Sequence, residues 1–565
     1  MTALVVPGVQ VQARFDVLPP LPAPSGIVGI VGIVDRPPDT EGRLVGVTRI
    51  SELREILGPG TEASMPEAAH ALANGAAELV VSAVRGGGPA ARDLRNDDAD
   101  VCVRLRCRSN GAWGNALAVE VRRVTDAGGN PVRVTLRLLR DGRVVENWPD
   151  LQVAAGQSDD LFETVNTRSR YVIATDPGFA NVVPADGTFA FDAEGTPIAV
   201  TEAGGARDLL QLVPSDEADP NGLSVELATG NNNRTRVRVF QSGLQEEFSD
   251  LVMDPDSENY LPYALLRRSR LVRVRVLSSL QADARLPVAT NAPLPFENGA
   301  SPTVAQYRTA IDRLEDDLRI DLVLAAVEQT RADAQVRQIH QALLEHAVRM
   351  SDAAAPRVAF GSVTRAEQSD LNRIRDHAAA VRGRRFVLVS PAGTAGAVAG
   401  FVGRLNPHIS PTFKPVTLHG IDPATYRESE LNRLLGPNTN LLVVQDRIGR
   451  GVVVLKGIDT TGDQISVTRV ADKAIRETKA TAENFIGLLN SEDARITLRE
   501  QIRAVFTRME RAGALVPSVD GSDPAFLVDV YSTQTDFALG IVRIDIAVRP
   551  VRAIDYIYAT IRVKT

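Results

Sequence analysis

The chain has 565 residues, of which 44% are hydrophobic and 24% charged, and this is the composition of a soluble globular protein with about three or four domains. No apolar run approaches the roughly 20 residues needed to cross a bilayer, and the first residues lack the features of a secretory signal. The net charge of −7 and the even spread of basic residues argue against a nucleic-acid partner. We therefore expect a cytoplasmic protein that neither inserts directly into a membrane nor binds nucleic acid.

Residues 1–25 have the features of a detachable arm. A short alternating strand runs from residue 5 to residue 13, and it leads into Pro19-Pro20-Leu21-Pro22-Ala23-Pro24. Such a proline-rich run is a semi-extended spacer, so it holds the first strand away from the body of the protein. The strand residues of this predicted N-terminal arm include Val5, Val6, Val9 and Val11.

Two separate segments show the α/β pattern. In the first, residues 26–90, a continuously apolar strand over residues 27–34 precedes a helix that Ser51 can cap, a second helix and a returning strand. From residue 301 to residue 445, strands alternate again with amphipathic helices, which indicates right-handed crossovers and a largely parallel sheet. We predict that the two segments complete one α/β core.

Residues 91–300 differ in composition, with short strands punctuated by glycine, asparagine and aspartate. This pattern predicts one or two β-sandwich domains inserted into the core. Within them, Trp113 and Asn115 belong to the run NGAWGNALAV, for which a packed anchor and a satisfied turn are a sufficient explanation. A carbohydrate-binding platform on Trp113 or Trp148 is the functional alternative.

The usual signatures of a catalytic, metal or cofactor site are missing from the sequence. Cys102 and Cys107 lie five residues apart on one predicted strand, so neither a disulfide nor a paired metal site is expected. The histidines are scattered, and His340 and His346 fit surface or core positions on one helix. No phosphate-binding loop occurs, and Ser390 has no recognisable histidine motif to activate it. We predict no enzyme activity, no metal and no cofactor.

The C-terminal part, residues 446–550, has an α+β pattern with predicted strands at 451–458 and 465–470 and helices at 471–489 and 494–512. A regular alternating strand follows at residues 541–549, and Pro550 ends it. Residues 551–565 then carry a second alternating strand, the predicted C-terminal arm. An ordinary edge strand of the same domain and strand addition to another subunit both account for such a terminal strand.

Several stretches, in order along the chain, resemble contractile tail sheath proteins. The run RIDIAVRPVRAIDYI at residues 543–557 is similar to the terminal arm of that family, although Ala553-Ile554 replaces a proline and an alanine. The GAWGN run at residues 111–115 resembles a stretch of the sheath β-sandwich domain. Further similar landmarks are PGV at 7–9, SGIVGIVG at 25–32, NG at 74–75, VRGG at 84–87, PAGTAGAVAG at 391–400, ELNRLLGPNTNL at 430–441 and RAGAL at 511–515.

The resemblance implies a structural subunit that polymerises helically around an inner tube and contracts to drive the tube through a target envelope. It implies a core of subtilisin-like topology without catalysis, assembly in the bacterial cytoplasm, and a place in a phage tail or contractile injection particle. The implied partners are copies of the chain itself, an inner tube protein, and baseplate and terminator or cap proteins. The alternatives are a non-catalytic surface or assembly protein and, third, an α/β hydrolase or nucleotide-binding enzyme.

Together, these patterns predict which residues join neighbouring subunits. We expect both terminal strands to pair in trans with an edge in a neighbour's C-terminal domain, next to a strand that includes Val542, Ile544, Ile546 and Val548. The C-terminal arm would contribute Tyr556, Ile557, Tyr558, Ile561 and Val563.

Overall fold

The structure is a computed structural model, and it describes residues 25–555 apart from 39–41, 155–156, 158, 206, 217, 258 and 282–283. The chain begins with a compact α/β segment. Its strands and helices are β1 (Ile27–Gly32), β2 (Val45–Val47), α1 (Ile50–Leu57), α2 (Thr61–Ser64), α3 (Pro66–Ala73) and β3 (Glu78–Ala83).

The inserted segment follows and is dominated by strands. Its first half contains β4 (Ala91–Arg95), β5 (Val101–Cys107), β6 (Leu117–Thr125), β7 (Pro131–Arg140), β8 (Arg143–Leu151), α4 (Leu161–Arg168) and β9 (Val172–Thr175). Its second half contains β10 (Gly187–Ala190), β11 (Ile198–Thr201), β12 (Asp208–Pro214), β13 (Leu223–Thr229), β14 (Thr235–Gln241), β15 (Leu244–Leu251), α5 (Leu261–Arg268) and β16 (Val272–Val276). The short β17 (Leu294–Pro295) precedes the return to the core.

The α/β pattern then resumes, and a helical C-terminal region ends the described chain. The resumed segment has α6 (Val304–Arg313), β18 (Leu322–Ala325), α7 (Asp333–Asp352), β19 (Val358–Ser362), α8 (Leu371–Ala380), β20 (Phe386–Ser390), α9 (Ala395–Arg404), α10 (Glu428–Leu434), β21 (Leu442–Arg447) and β22 (Gly451–Val454). The C-terminal region has α11 (Ile465–Glu483), α12 (Glu492–Arg511), β23 (Phe526–Tyr531), α13 (Gln534–Ala538) and β24 (Arg543–Val548).

One eight-stranded sheet joins the two α/β segments, in the order β2-β3-β1-β18-β19-β20-β21-β22. Its six central strands are parallel, and an antiparallel strand lies at each edge. Because β1 pairs directly with β18, the first and second segments complete one sheet, as predicted from the sequence. The mixed α/β fold with several sheets is thereby confirmed.

Helices cover both faces of this sheet, which is why its strands are apolar along their whole length. One hydrophobic cluster contains residues of α1, α3 and α9, and the other contains residues of α6, α7, α8 and α10. Gly396 and Gly400 face the backbone of α3 at Glu67 and Ala71, where a Cβ would collide. The glycine-rich entry to α9 therefore serves close helix packing, mainly against α3.

The inserted segment contains the same fold twice. Repeat 1 (residues 91–175 with β17) has a four-stranded sheet, β17-β6-β7-β8, and a three-stranded sheet, β4-β5-β9. Repeat 2 (residues 187–276) has the corresponding sheets β10-β13-β14-β15 and β11-β12-β16. Each repeat has its own buried cluster, and the helices α4 and α5 occupy equivalent places.

The two repeats also share side-chain chemistry at positions 100 residues apart. Ser169 Oγ donates to Glu146 Oε2 (2.7 Å) and accepts from Val172 N (3.0 Å). In repeat 2, Ser269 Oγ donates to Glu246 Oε2 (2.6 Å) and accepts from Val272 N (3.0 Å). In addition, Asp150 and Asp250 both have a left-handed backbone, with φ of 52° and 60°. We therefore interpret the insertion as a duplication of one unit.

Repeat 1 contacts the core through the loop that carries the GAWGN run. Ala112 N donates to Glu328 Oε1 (3.1 Å), and Asn115 exchanges two hydrogen bonds with the backbone of Gly299. Trp113 is buried, and its Nε1 donates to Asn110 O (2.9 Å). Trp148 is buried as well. Neither indole offers an exposed face, so the hypothesis of a carbohydrate platform is wrong.

Two sequence-based predictions are wrong, one in the C-terminal region and one near α1, and one strand was missed. Residues 465–470 form the start of helix α11 instead of a strand, because their buried positions follow helical spacing and Arg469 donates to two carbonyls at the end of α9. Strand β23 was not predicted at all. The cap of α1 is Arg49, which makes no side-chain cap bond, and Ser51 lies inside the helix.

The duplication gives a matched pair of mutations. Replacing Ser169 or Ser269 by Ala leaves a strand amide and a carboxylate without their partner, which costs about 1–3 kcal/mol locally. We expect Ser169→Ala to be the more costly, because Ser169 is fully buried and Ser269 is half-buried. Native-state hydrogen exchange at Val172 and Val272 measures this. The exposed Ser369 serves as control, and acceleration in the repeat that was not mutated would contradict independent units.

The inserted β-domains, residues 91–300, remain a proposed separable module. Their two ends meet, since Gly88 N donates to Ala300 O (2.8 Å) and Ala300 N donates to Gly88 O (2.9 Å). Deleting residues 89–299 and joining Gly88 to Ala300 by a short linker should therefore leave a soluble core that unfolds cooperatively. Circular dichroism during heating measures this. Consistent loss of all soluble protein would show that the core depends on the insertion.

Candidate intersubunit site

The C-terminal region contains a small two-stranded sheet, β23 and β24, that packs on α12. The strands are antiparallel, with Phe526 opposite Val548 and Tyr531 opposite Arg543. Side chains alternate along both strands, and one face joins the hydrophobic cluster of α11 and α12 around Ile502 and Phe506. The sheet is therefore half-buried, as its period-two pattern predicts.

The predicted acceptor residues lie on the packed face of this sheet. Ile544, Ile546 and Val548 are half-buried on β24, and Val542 is half-buried just before it. Within the part of the chain that the structure describes, β23 and β24 form a sheet of two strands with no third strand beside either. Each strand thus has one edge with backbone groups available for pairing, the geometry that strand addition requires.

The outer face of the sheet is mostly polar, but it includes one exposed apolar side chain. Leu527 is 60% exposed, and Asp529 lies directly opposite Asp545. Tyr531 donates its hydroxyl to Asp545 Oδ2 (2.9 Å), and this hydrogen bond raises the pKa of Tyr531. At the start of β24, Arg543 makes two hydrogen bonds to Asp536 (2.7 and 2.8 Å), which hold the pKa of that carboxyl below its usual range.

After β24 the chain crosses back toward the α/β core. Arg549 N donates to Ala525 O (2.9 Å) and Val551 N to Ala514 O (3.0 Å). The buried amide of Gln464, just before α11, then brackets the peptide of Ala553, accepting from its N–H (2.8 Å) and donating to its C=O (2.9 Å). The same amide donates to Asp555 Oδ2 (2.9 Å). The last described residues are therefore fixed at the start of α11.

The predicted arm residues lie outside the described residues. These are Val5, Val6, Val9 and Val11 at the N-terminus and Tyr556, Ile557, Tyr558, Ile561 and Val563 at the C-terminus. Their pairing stays a prediction. The partner strand β23 was missed, although Phe526, Val528 and Val530 alternate with Leu527, Asp529 and Tyr531 and give the same signal as β24.

The groups considered for catalysis lie in separate, buried places. Ser390 is fully buried, and its hydroxyl bonds to that of Tyr426 (2.9 Å). His340 forms a hydrogen bond with His377 (2.9 Å), and His377 forms one with Glu367 (2.7 Å). All three side chains are buried. Burial lowers the pKa of His340. These histidines belong to the core, one of the two placements expected.

His346 and the two cysteines are also core residues. His346 bonds to Arg357 (2.6 Å), and burial together with this guanidinium lowers its pKa to about 3. Cys102 and Cys107 are free and buried, and burial raises the pKa of both to about 12. Among the residues with described positions, no group of three His, Cys, Asp or Glu could hold a metal ion. No helix in the described ranges has the length and apolar character needed to cross a membrane.

A family comparison identifies the region that contains this site. Residues 459–564 match the model of the phage tail sheath C-terminal domain. Residues 459–564 thus form a domain of the phage tail sheath C-terminal type. The match begins just before α11 and extends beyond β24, so it includes the sheet, its supporting helices and the predicted C-terminal arm. The recognition of a sheath protein from its sequence is thereby confirmed.

Solved sheath structures are also similar to the chain. A sheath tail protein from Desulfitobacterium hafniense is 13% identical with a TM-score of 0.45, over 97% of each chain. One from Listeria innocua is 11% identical with a TM-score of 0.45, over 94% of each chain. The contracted helical sheath of the anti-feeding prophage is 17% identical with a TM-score of 0.37, over 48% of this chain and 78% of that one. No curated protein matches. The family match, and not these likenesses, identifies the sheath domain.

The Gln464 contacts can be tested directly. Replacing Gln464 by Ala removes the acceptor of the Ala553 N–H, and loss of one buried hydrogen bond costs about 1–2 kcal/mol. Hydrogen exchange at Ala553 should accelerate roughly tenfold, while the amides of β23 and β24 keep their rates. Gln445→Ala is a matched control, because Gln445 bonds to Tyr426 O in the core. Unchanged exchange at Ala553 would contradict the contact.

Proposed function

We propose that this chain is the structural subunit of a contractile sheath, which polymerises helically around an inner tube and shortens to drive the tube through a target envelope. The observation that carries the proposal is a sheath C-terminal domain whose two-stranded sheet offers free edges within the described residues. Terminal strands of neighbouring subunits are its proposed occupants. The N-terminal arm and the C-terminal arm would each pair in trans.

Strand addition suits a lattice whose subunits must move relative to one another while they remain connected. Each backbone hydrogen bond contributes only about 0.5–1.5 kcal/mol net, so a single short strand binds weakly. Two arms in every subunit make the lattice multivalent, and the loss of one contact leaves the subunit held by others. The apolar face of an added strand would also cover part of the cluster that β23 and β24 leave half-buried.

The α/β core and the repeats are the proposed rigid bodies of this lattice. The parallel sheet, which we propose has a subtilisin-like topology, is covered by helices on both faces and suits a scaffold role. We place the inserted repeats on the outside of the polymer, since their two ends meet at Gly88 and Ala300 and the core sheet is complete without them. Extended and contracted sheaths would then be two packings of the same bodies, joined by one set of arms.

The proposed partners are copies of this chain, an inner tube protein, and baseplate and terminator or cap proteins. Assembly would take place in the bacterial cytoplasm, within a phage tail or a contractile injection particle. We propose no catalytic role. The hydroxyl of Ser390 is fully buried, and it forms a hydrogen bond with the hydroxyl of Tyr426. A neutral tyrosine hydroxyl is not the imidazole base that a serine nucleophile needs.

Electron microscopy of the purified full chain tests this function. We expect tubular polymers with a regular helical lattice, because each subunit carries both an arm and an acceptor sheet. Monomers or irregular aggregates under all assembly conditions would count against a sheath and would favour a non-catalytic surface or assembly protein. A labelled Ser390 after treatment with a serine-directed probe would instead favour an α/β hydrolase.

Removing residues 556–565 tests the C-terminal arm. We expect polymers to disappear, while the Tm of the monomer moves by no more than about 2 °C, because the contacts of Gln464 and of β24 are retained. Electron microscopy and calorimetry measure the two effects.

The control for this truncation keeps residues 556–565 at the same composition in scrambled order. It should fail to polymerise too, since an added strand depends on its alternation. If the truncated monomer collapses while the surviving protein still assembles, the terminal strand belongs to its own subunit.

A further inference from the structure

A small cavity lies where repeat 1 meets the carboxyl ends of the core strands. Its lining includes Glu67 of α3, Glu328 just after β18 and His340 of α7, and all three side chains are buried. With a volume of about 20 Å³, the cavity has room for a single water molecule. Three titratable groups therefore share a space in which very little water can solvate a charge.

Glu328 connects this cavity to repeat 1. Its Oε1 accepts hydrogen bonds from Ala112 N (3.1 Å), in the GAWGN run, and from Ser301 Oγ (2.8 Å), just after the insertion. Its Oε2 lies 3.6 Å from Arg331 Nη1. The backbone at Gly111 packs so closely that a Cβ there would lie 2.8 Å from Glu328 Oε1. The carboxylate of Glu328 thus holds both sides of the junction between repeat 1 and the core.

Glu67 has no comparable set of partners. In the ranges that the structure describes, no Lys, Arg or His forms an ion pair with its carboxyl. Burial raises the pKa of Glu67 from its ordinary 4.5 to about 7; the charge of Arg140, on β7, opposes this shift and that of Glu328 adds to it. The guanidinium of Arg140 also lies over the ring of Trp113, 5.8 Å from its centroid. Repeat 1 therefore acts on the charge of Glu67 as well as on Glu328.

The histidines and the tyrosine around Glu67 keep one charge state near neutral pH. Burial lowers the pKa of His340 and that of His70, which lies one turn further along α3. Burial also raises the pKa of Tyr307, on α6, well above its ordinary value. The neighbouring guanidinium groups stay charged throughout. None of these side chains therefore competes with Glu67 for a proton between pH 6 and pH 8.

We propose that Glu67 is a proton-controlled switch that sets how firmly repeat 1 is held on the core. When its carboxyl is protonated, Glu328 is the anion of the cavity, and it is paired and hydrogen-bonded. When the carboxyl ionises, a second negative charge is buried beside the first, and a buried charge without a counterion is costly. Opening the junction lets water reach Glu67 and removes this cost. The switch belongs to a single subunit, so it does not depend on polymerisation.

The sign of the pH effect follows from the raised pKa. A carboxyl with a higher pKa in the docked form stabilises that form fully below about pH 4.5, and this contribution is lost as the pH rises through about 7. Between pH 6 and pH 8, the ratio of open to docked junctions should rise about tenfold, and above pH 8 it should level off. Alkaline conditions therefore loosen repeat 1, and acidic conditions hold it.

Hydrogen exchange of the full chain, followed by mass spectrometry, tests the switch. In the wild type, the peptide that contains residues 110–116 should lose protection about tenfold between pH 6 and pH 8, after correction for the intrinsic pH dependence of exchange. Glu67→Gln replaces the carboxyl by a neutral amide of the same shape, so the protection of that peptide should stay level. Glu55→Gln, at an exposed position on α1, is the matched control and should behave as the wild type does.

The wild-type profile and the variant each decide the question. Protection that stays level in the wild type from pH 6 to pH 8 overturns the proposal, and this result holds even if Glu67→Gln does not fold, which calorimetry at pH 5 checks. An equal loss in wild type and Glu67→Gln assigns the effect to another group and overturns it too. A loss of the same size in the peptides of β13 and β14 shows that pH acts on global stability, which also contradicts the switch. A loss confined to the junction and abolished by Glu67→Gln supports it.

Discussion

Unsatisfied backbone pairing at the edges of β23 and β24 is the constraint on which the proposed assembly depends. A strand edge presents a row of N–H and C=O groups that can hydrogen-bond to another strand. Natural proteins usually cover such edges or place charged side chains on them. Here the sheet is supported on one side by α12 and has two strands among the described residues. A two-stranded sheet is marginal by itself, so the helices below stabilise it and an added strand would complete it.

The remainder of the molecule gives this small sheet a rigid support. Helix α11 joins it to the α/β core, where the guanidinium of Arg469 binds the last carbonyls of α9 (2.7 and 3.0 Å). Gln464 fixes the segment after β24 at the same junction. A force on the C-terminal arm would thus be transmitted to the core through α11 as well as through β24. The duplicated β-repeats contact the core elsewhere, at Gly88 and Ala300 and at Asp35, which accepts a hydrogen bond from Tyr263.

Sequence patterns predicted the core well because its signal is strong. Continuously apolar strands such as β1 and β20, alternating with amphipathic helices, are typical of a parallel sheet that is covered on both faces. Residues 465–470 were misassigned because Ile465, Val467 and Val470 favour a strand locally. The segment is instead helical, and the hydrogen bond from Arg469 to Val402 O stabilises it in that conformation. The duplication was missed because only scattered positions, such as Glu146 with Glu246 and Ser169 with Ser269, retain the same residue. The acceptor strand was predicted from alternation alone, but its opposed acids required the register with β23.

Photo-crosslinking between isotopically distinct subunits tests most directly whether the C-terminal arm pairs in trans. Light and heavy chains carrying a photoreactive residue in place of Tyr558 would be mixed before assembly, irradiated and digested. The two buried native cysteines do not interfere. We expect crosslinks from position 558 to the peptide that contains β24, with mixed-isotope products as abundant as same-isotope products. Crosslinks to β24 that join only chains of the same isotope would place the strand in its own subunit and contradict the account.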